Sequence, residues 1–405
     1  MKRQKIHNNI YFGLCALIAF FLPVYIFIIP FLIILIFLNW IIEGKYSEKI
    51  LSLKSKYLIL FISYYLLYFI GMLWTNNLNS GWFDLEVKLP FLIFPLMAGR
   101  IGQIFDVSKT TKVLFVYVAG SFVATLICLF HAGYLWFHDS ENYFFYAKLS
   151  VFLHPSYLSM YILLAITLLV WRFYINVEIN KRKLLIFFLI CWFWFFIILL
   201  QSKAGIIIAA LMFLVYSVML IVKTKKYFQI ISAFTIIFLG YFIINHFAIT
   251  ANISRLKNAK DIILSNKIDT ATVESNQARI LVWKASAEII KRNYIYGVGT
   301  GDIKDELDKM YIKMNMTGIF KEHLNAHNQY LQSAIGLGVG GLIVIILMFL
   351  LPLIYSIKQK KKIYMFFLLI VGLNLLVESM FETQAGVMFY AFFNILFFIK
   401  GKNSE

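Results

Sequence analysis

Two histidines, His323 and His327, stand four residues apart in "EHLNAHNQYLQSAIGLGVGG" (322–341), where a polar segment runs into an apolar, glycine-rich one. On a helix that spacing puts both imidazoles on one face. Two such rings can chelate a metal, but a metalloprotease-type site also needs an intervening Glu base and a third ligand. "HLNAH" contains no Glu, and no metal is expected. Two readings stay open: ordinary interfacial hydrogen bonding, or an imidazole placed to handle a proton near neutral pH.

Cations and carboxylates elsewhere extend the second reading. Lys203 lies in "ILLQSKAGIIIA", a short polar hinge between two apolar runs. A lysine near a helix end commonly snorkels to the interface; a cation at membrane depth is also a functional signal, suited to holding an anion at the leaflet surface. Arg279 opens an amphipathic segment with Trp283 one turn later, and arginine presents forked donors to phosphate. Arg255, in "NISRLKN", is a further position of that type. His154 in "FLHPSYLSMY", and Glu378 and Glu382 in "ESMFETQAG", are either polar glue between helices or cleft-lining groups; His323 and Asn328 are further cleft-lining candidates. "GVGTGD" lacks the strand, helix-opening spacing and lysine of a nucleotide fingerprint and reads as a turn.

The elements that must position these groups are membrane helices. The 405-residue chain is 61% hydrophobic, 18% aromatic and only 14% charged, whereas a soluble domain carries about 25% charged residues. Twelve apolar segments are expected, at 10–22, 24–42, 57–74, 89–99, 111–131, 151–171, 184–201, 204–222, 228–247, 329–357, 363–378 and 384–400. Pro23, Pro90 and Pro95 mark breaks between or within them, and 89–99 is too short to cross alone. Cys15, Cys128 and Cys191 all fall in apolar runs, so no disulfide framework is expected. "MKRQK" leads into an apolar stretch that continues to about Ile42 without a small-residue cleavage site, and reads as a retained anchor.

The net charge of +18 is distributed in clusters between spans: "MKRQK", "GKYSEKILSLKSK", "KRK", "KTKK", "KQKKK" and "KGK". That is the positive-inside pattern and not a nucleic-acid face. With both termini cytoplasmic, the short outer loops hold only Lys88, Lys148 and Lys203. The expected organisation is a bundle of nine spans (1–247), a large non-cytoplasmic loop (248–328) and three closing spans (329–405). In the loop, "ARILVWKASAEIIKRN" carries Ile280, Trp283, Ala287 and Ile290 at helical spacing, and "DIKDELDKMYIKMN" reads as a second helix.

Three stretches then carry a likeness: "NAHNQYLQSAIGLGVGGL", "ARILVWKASAEIIKRNYIYGVGTG" and "LLQSKAGIIIA". With twelve spans and one large loop before the last three, the chain resembles the O-antigen ligase and polymerase family of bacterial inner-membrane glycosyltransferases. The resemblance implies an all-α, GT-C-like polytopic fold. It implies transfer of a glycan from undecaprenyl diphosphate to an acceptor hydroxyl on the periplasmic face, inverting, with no metal or cofactor. The family's motif histidine falls on His327, its loop arginine on Arg279, and its basic residue between spans on Lys203. Arginine is common at that last position, and lysine supplies a point charge in place of a fork. Lipid A–core is the expected acceptor. A growing O-antigen chain (polymerase) or a protein hydroxyl (O-oligosaccharyltransferase) are alternatives with the same donor. A lipid or polysaccharide transporter is the non-enzyme alternative; paired inverted repeats or midplane charges would mark it, whereas here the polar residues gather on one face.

Overall fold

The computed structural model describes residues 2–44, 46, 49, 56–139, 142–174, 181–224 and 275–398. Every regular element among them is helical. The membrane bundle comprises α1 (Lys2–Val24), α2 (Ile29–Glu43), α3 (Lys56–Gly71), α4 (Leu78–Lys88), α5 (Pro90–Ile104), α6 (Val107–Asp139), α7 (Pro155–Leu168), α8 (Lys181–Leu200) and α9 (Lys203–Thr224). After the loop helices α10 (Ser275–Arg292) and α11 (Ile303–Lys313), it closes with α12 (Gln329–Lys358), α13 (Lys362–Leu375) and α14 (Gln384–Phe398). Among the described residues, seven helices are long and apolar enough to cross a bilayer; the segments of α7, α9, α13 and α14 are shorter and apolar. The chain is an all-α polytopic membrane protein. The span expected at 228–247 and the loop stretch 248–274, with Arg255, lie outside the described residues.

One expected boundary moves. The stub at 89–99 is the later part of a single 27-residue apolar stretch, Leu78–Ile104, formed by α4 and α5. Pro90 does not end the helix because it stands at the first position of α5, where a missing N–H leaves no bond unmade. Lys88, read from sequence as an outer-loop charge, is therefore inside a helix and fully buried.

Helix α14 is apolar on nearly all sides, and Ala385 through Leu396 are buried without interruption. A helix with no polar face belongs in the interior. Tyr390 stacks on Phe349 (4.6 Å between ring centroids) and on Phe61 (5.3 Å), and tilts against Phe381 (5.4 Å). Helix α7 is likewise buried along its whole length. Both elements are thus fixed by packing, and the segments at their N-terminal ends inherit that rigidity.

The glycine-rich segments interlock. Helix α12 departs from helical geometry at Gly338 (φ 63°, ψ −154°), and the turn after α10 lies against the break. Val298 N donates to Ile335 O (2.8 Å), Gly299 N to Gly336 O (3.1 Å), and Val339 N to Tyr294 O (2.8 Å). Irregular backbone inside a span is tolerated only where protein satisfies its polar groups, and the turn does so. A Cβ on Gly297 would fall 2.3 Å from Gly336 O, and one on Gly338 would fall 2.3 Å from Ile295 O. The approach therefore requires glycine on both sides. Asp302 completes the docking by accepting from Asn76 N (2.8 Å) and Asn77 N (2.7 Å).

The loop helices share a small core in which α10 buries Ala278, Leu281, Val282, Ala285 and Ile289. This corrects the expected face: Ile280, Trp283 and Ala287 are exposed and Ile290 only partly buried. Apolar residues occupy two stripes of α10, so spacing alone does not select the buried one. The exposed stripe carries Arg279, and it turns towards the segment before α12.

Candidate functional site

Residues 322–328 are not helical. His323 and His327 both adopt left-handed backbone (φ 47° and 44°), and α12 begins only at Gln329, capped by the Asn328 side chain, which accepts from Tyr330 N (2.9 Å) and Leu331 N (3.1 Å). The shared helical face expected of the two histidines is absent for that reason, and their rings diverge. His323 Nδ1 pairs with Asp308 Oδ2 of α11 at 2.7 Å, half exposed. His327 Nδ1 lies 3.3 Å from Glu378 Oε2.

Glu378 is the hub. It sits just beyond the C-terminal end of α13 and is buried. Its Oε1 accepts from Arg279 Nη2 (3.0 Å) and from Ser156 Oγ (3.3 Å). Ser156 is in the first turn of α7, whose N-cap is His154; the His154 Nδ1 accepts from Ser156 N at 3.4 Å. Ser202 Oγ donates to Ser156 Oγ at 3.4 Å and also caps α9 by accepting from Gly205 N at 3.1 Å. Lys203, the first residue of α9, follows directly. The hinge between α8 and α9 reaches this point because Gly205 packs on Ser159, where a Cβ would meet the serine Cβ at 2.6 Å. Trp283 Nε1 donates to Ala326 O (3.1 Å) and braces the segment just before His327.

Burial alone would raise the Glu378 carboxyl pKa, but the His327 hydrogen bond and the charges of His327 and Arg279 outweigh it and leave the group below the ordinary carboxylate range. An ionised carboxylate is acceptor-only, so the His327 Nδ1 carries the shared proton. In a neutral imidazole the Nε2 is then the acceptor, available to a substrate hydroxyl. His154 is pushed in the neutral direction: burial lowers its pKa, against an opposing pull from Glu378.

The remaining positions fall elsewhere. Asn328 is committed to backbone: besides capping α12, its Nδ2 donates to Leu376 O (3.0 Å) and its N to Ser379 Oγ (3.2 Å). Glu382 belongs to a neighbouring buried group, 3.3 Å from Lys88 Nζ and 3.1 Å from Gln329 Nε2. Sequence reasoning missed Ser156, Ser202 and Gln329. Their signal is a hydrogen-bonding side chain in or beside the first turn of an apolar helix, as in "HPS", "QSK" and "HNQ".

Residues 185–346 match the family model described as O-antigen ligase. This part of the chain is similar to the O-antigen ligase family. The match supports a ligase- or polymerase-type role in O-antigen processing; members of the matched family are glycosyltransferase-like enzymes acting on lipid-linked glycans. A search of curated proteins found no match. The O-antigen ligase region contains Lys203, Arg279, His323, His327, Asn328 and Gln329, and stops short of Glu378 and Glu382. His154 and Ser156 precede it. The carboxylate on which Arg279 and His327 converge therefore comes from outside the matched region.

Proposed function

We propose that the protein is an inverting ligase of the bacterial inner membrane that moves a glycan from undecaprenyl diphosphate to a lipid A–core hydroxyl at the periplasmic face. The observation that carries this reading is the single carboxylate of Glu378, on which Arg279 and His327 meet from elements far apart in the chain. The serine pair Ser156–Ser202 extends the cluster to the residue before Lys203.

The donor's diphosphate is anionic and held at the leaflet surface by its lipid. Arg279 contacts Glu378 through Nη2, and a guanidinium has five N–H donors, so the others can address a phosphate. Lys203 adds a point charge. The acceptor oxygen attacks sugar C1 as the C1–O bond to the diphosphate breaks, and the departing oxygen takes the electron pair. Cations fixed beside it favour the charge that develops there. The acceptor proton passes to His327 Nε2, and Glu378, across the ring at Nδ1, stabilises the imidazolium. Attack opposite the leaving group inverts the anomeric centre.

The test is lipopolysaccharide from a deletion strain carrying either the wild-type chain or His327→Ala, separated on gels with membrane abundance matched. The reading expects core without polymer in the deletion and in His327→Ala, and capped core with the wild type. Single-repeat caps in the deletion would assign the polymerase activity, and altered glycoproteins with intact lipopolysaccharide would assign a protein acceptor. Full capping by His327→Ala would overturn the site.

A further inference from the structure

His327 and Glu378 both stand on irregular backbone: one precedes α12, the other follows α13. Neither helix by itself fixes the distance between them. What joins the two segments is a set of cross-bonds from consecutive residues. Asn328 reaches Leu376 and Ser379, as described above. Gln329, fully buried, reaches further: its Oε1 accepts from Phe381 N at 2.7 Å and its Nε2 donates to Glu382 Oε1 at 3.1 Å.

The far end of this clamp is anchored. Glu382 Oε2 lies 3.3 Å from the ammonium of Lys88, which is fully buried, 3.3 Å from Asp84 Oδ1 and 4.4 Å from the centroid of the Tyr68 ring. A buried amide whose donor and acceptor are both used in short, directed bonds has one orientation available, and a buried ion pair gives Glu382 little freedom to follow a shifted turn. Gln329, two places after His327, is thus tied to the turn that begins directly after Glu378.

We propose that Gln329, anchored through Glu382 to Lys88, is a positioning residue that sets the His327–Glu378 geometry. It touches neither group and acts through the backbone of the 379–382 turn. The inference rests on the catalytic reading of His327, and the experiment separates the two. A displacement of about 1 Å at reacting groups costs about 100-fold in rate.

The experiment compares wild type, Gln329→Met, Gln329→Glu, the exchange Gln329→Glu/Glu382→Gln, and His327→Ala, all purified and assayed for transfer from a lipid-linked donor. Gln329→Met keeps the length and removes both bonds, together with the longer one from Nε2 to Ser333 Oγ (3.5 Å); Gln329→Glu opposes Glu382 with like charge. The exchange restores one carboxylate and one amide in mutual contact, and the amide oxygen at position 382 can still accept from Lys88, which keeps its pair with Asp84. The expected result is kcat lowered about 100-fold in both single variants, with KM for the donor unchanged and kcat recovered in the exchange. Unchanged kcat in Gln329→Met, with His327→Ala inactive, would overturn the positioning role and leave the site reading standing. Activity in His327→Ala would overturn the site reading itself. If Gln329→Met fails to accumulate in membranes, the exchange decides: wild-type abundance without recovered kcat rejects the inference.

Discussion

Glu378 Oε1 accepts from Arg279 Nη2 at 3.0 Å while the opposite oxygen, Oε2, faces His327 Nδ1 at 3.3 Å. One carboxylate therefore serves a guanidinium and an imidazole at the same time, with one oxygen for each. The arrangement gives the carboxylate two separable tasks: orienting the ring and holding the arginine fork beside it.

Glu378→Gln keeps the shape of the side chain and removes its charge. Its amide could present an NH₂ to His327 Nδ1 and reverse the tautomer, leaving Nε2 protonated and useless as a base. The expected loss in kcat is about 100-fold or more. Transfer from a lipid-linked donor in proteoliposomes measures it, and wild-type kcat would remove Glu378 from the mechanism.

Arg279→Lys preserves charge and loses the fork. A lysine at this point can pair with Glu378 or reach a phosphate, but it lacks the planar set of donors that does both. Donor KM should rise and kcat fall by about tenfold, with Arg279→Ala costing about 100-fold. Equal kinetics for arginine and lysine would mean that only charge matters here.

The depressed pKa of Glu378 makes a statement about stability. The folded carboxyl ionises below its unfolded value, so its contribution is complete above the ordinary carboxylate range and disappears as pH falls through the folded value. The gap in thermal midpoint between wild type and Glu378→Gln should narrow as pH falls through the carboxylate range. Unfolding scans in detergent from mildly acid to neutral pH test this; a gap that widens on acidification would contradict the sign.

Orientation follows from charge. The basic run at Lys358–Lys362 should face the cytoplasm and the turn at Tyr296 the opposite side; both Tyr296 and Lys358 are exposed. In a background lacking the native cysteines, Tyr296→Cys should react with an impermeant maleimide in intact spheroplasts. Lys358→Cys should react only after permeabilisation. The reverse pattern would deny the site its lipid-linked donor.

Much of this was legible in the sequence. Apolar length located the spans among the described residues, apart from the boundary at 89–99, and the polar-to-apolar junction at 322–341 contains His327 and the cap residue Asn328. Other features were not legible, for physical reasons. Pairing of Glu378 with Arg279 and His327 joins residues 99 and 51 positions away, and no local spacing encodes that. Lys88 looked like a loop charge because its burial depends on carboxylates supplied by its own helix and by Glu382. The face of α10 was misassigned because a site-facing stripe bearing Trp283 is as apolar by composition as the packed stripe bearing Leu281.

The interlocked glycines give the sharpest structural test. Gly338 has φ 63°, and a Cβ there would lie 2.3 Å from Ile295 O and 2.7 Å from Tyr294 O. Gly338→Ala must therefore push the 294–299 turn off α12 and strain the backbone, costing about 1–3 kcal/mol or more. Gly340, two residues along the same helix, has nothing within 4 Å of its Cβ position. Gly340→Ala should stabilise by about 0.5–1 kcal/mol through helix propensity alone. Thermal unfolding of the two variants should move in opposite directions. Because the turn follows the helix that carries Arg279, Gly338→Ala should also lower transfer activity below the unfolding temperature, whereas Gly340→Ala should leave it unchanged. Equal behaviour of the two variants would mean that the backbone contact between turn and helix is not what holds the loop on the bundle.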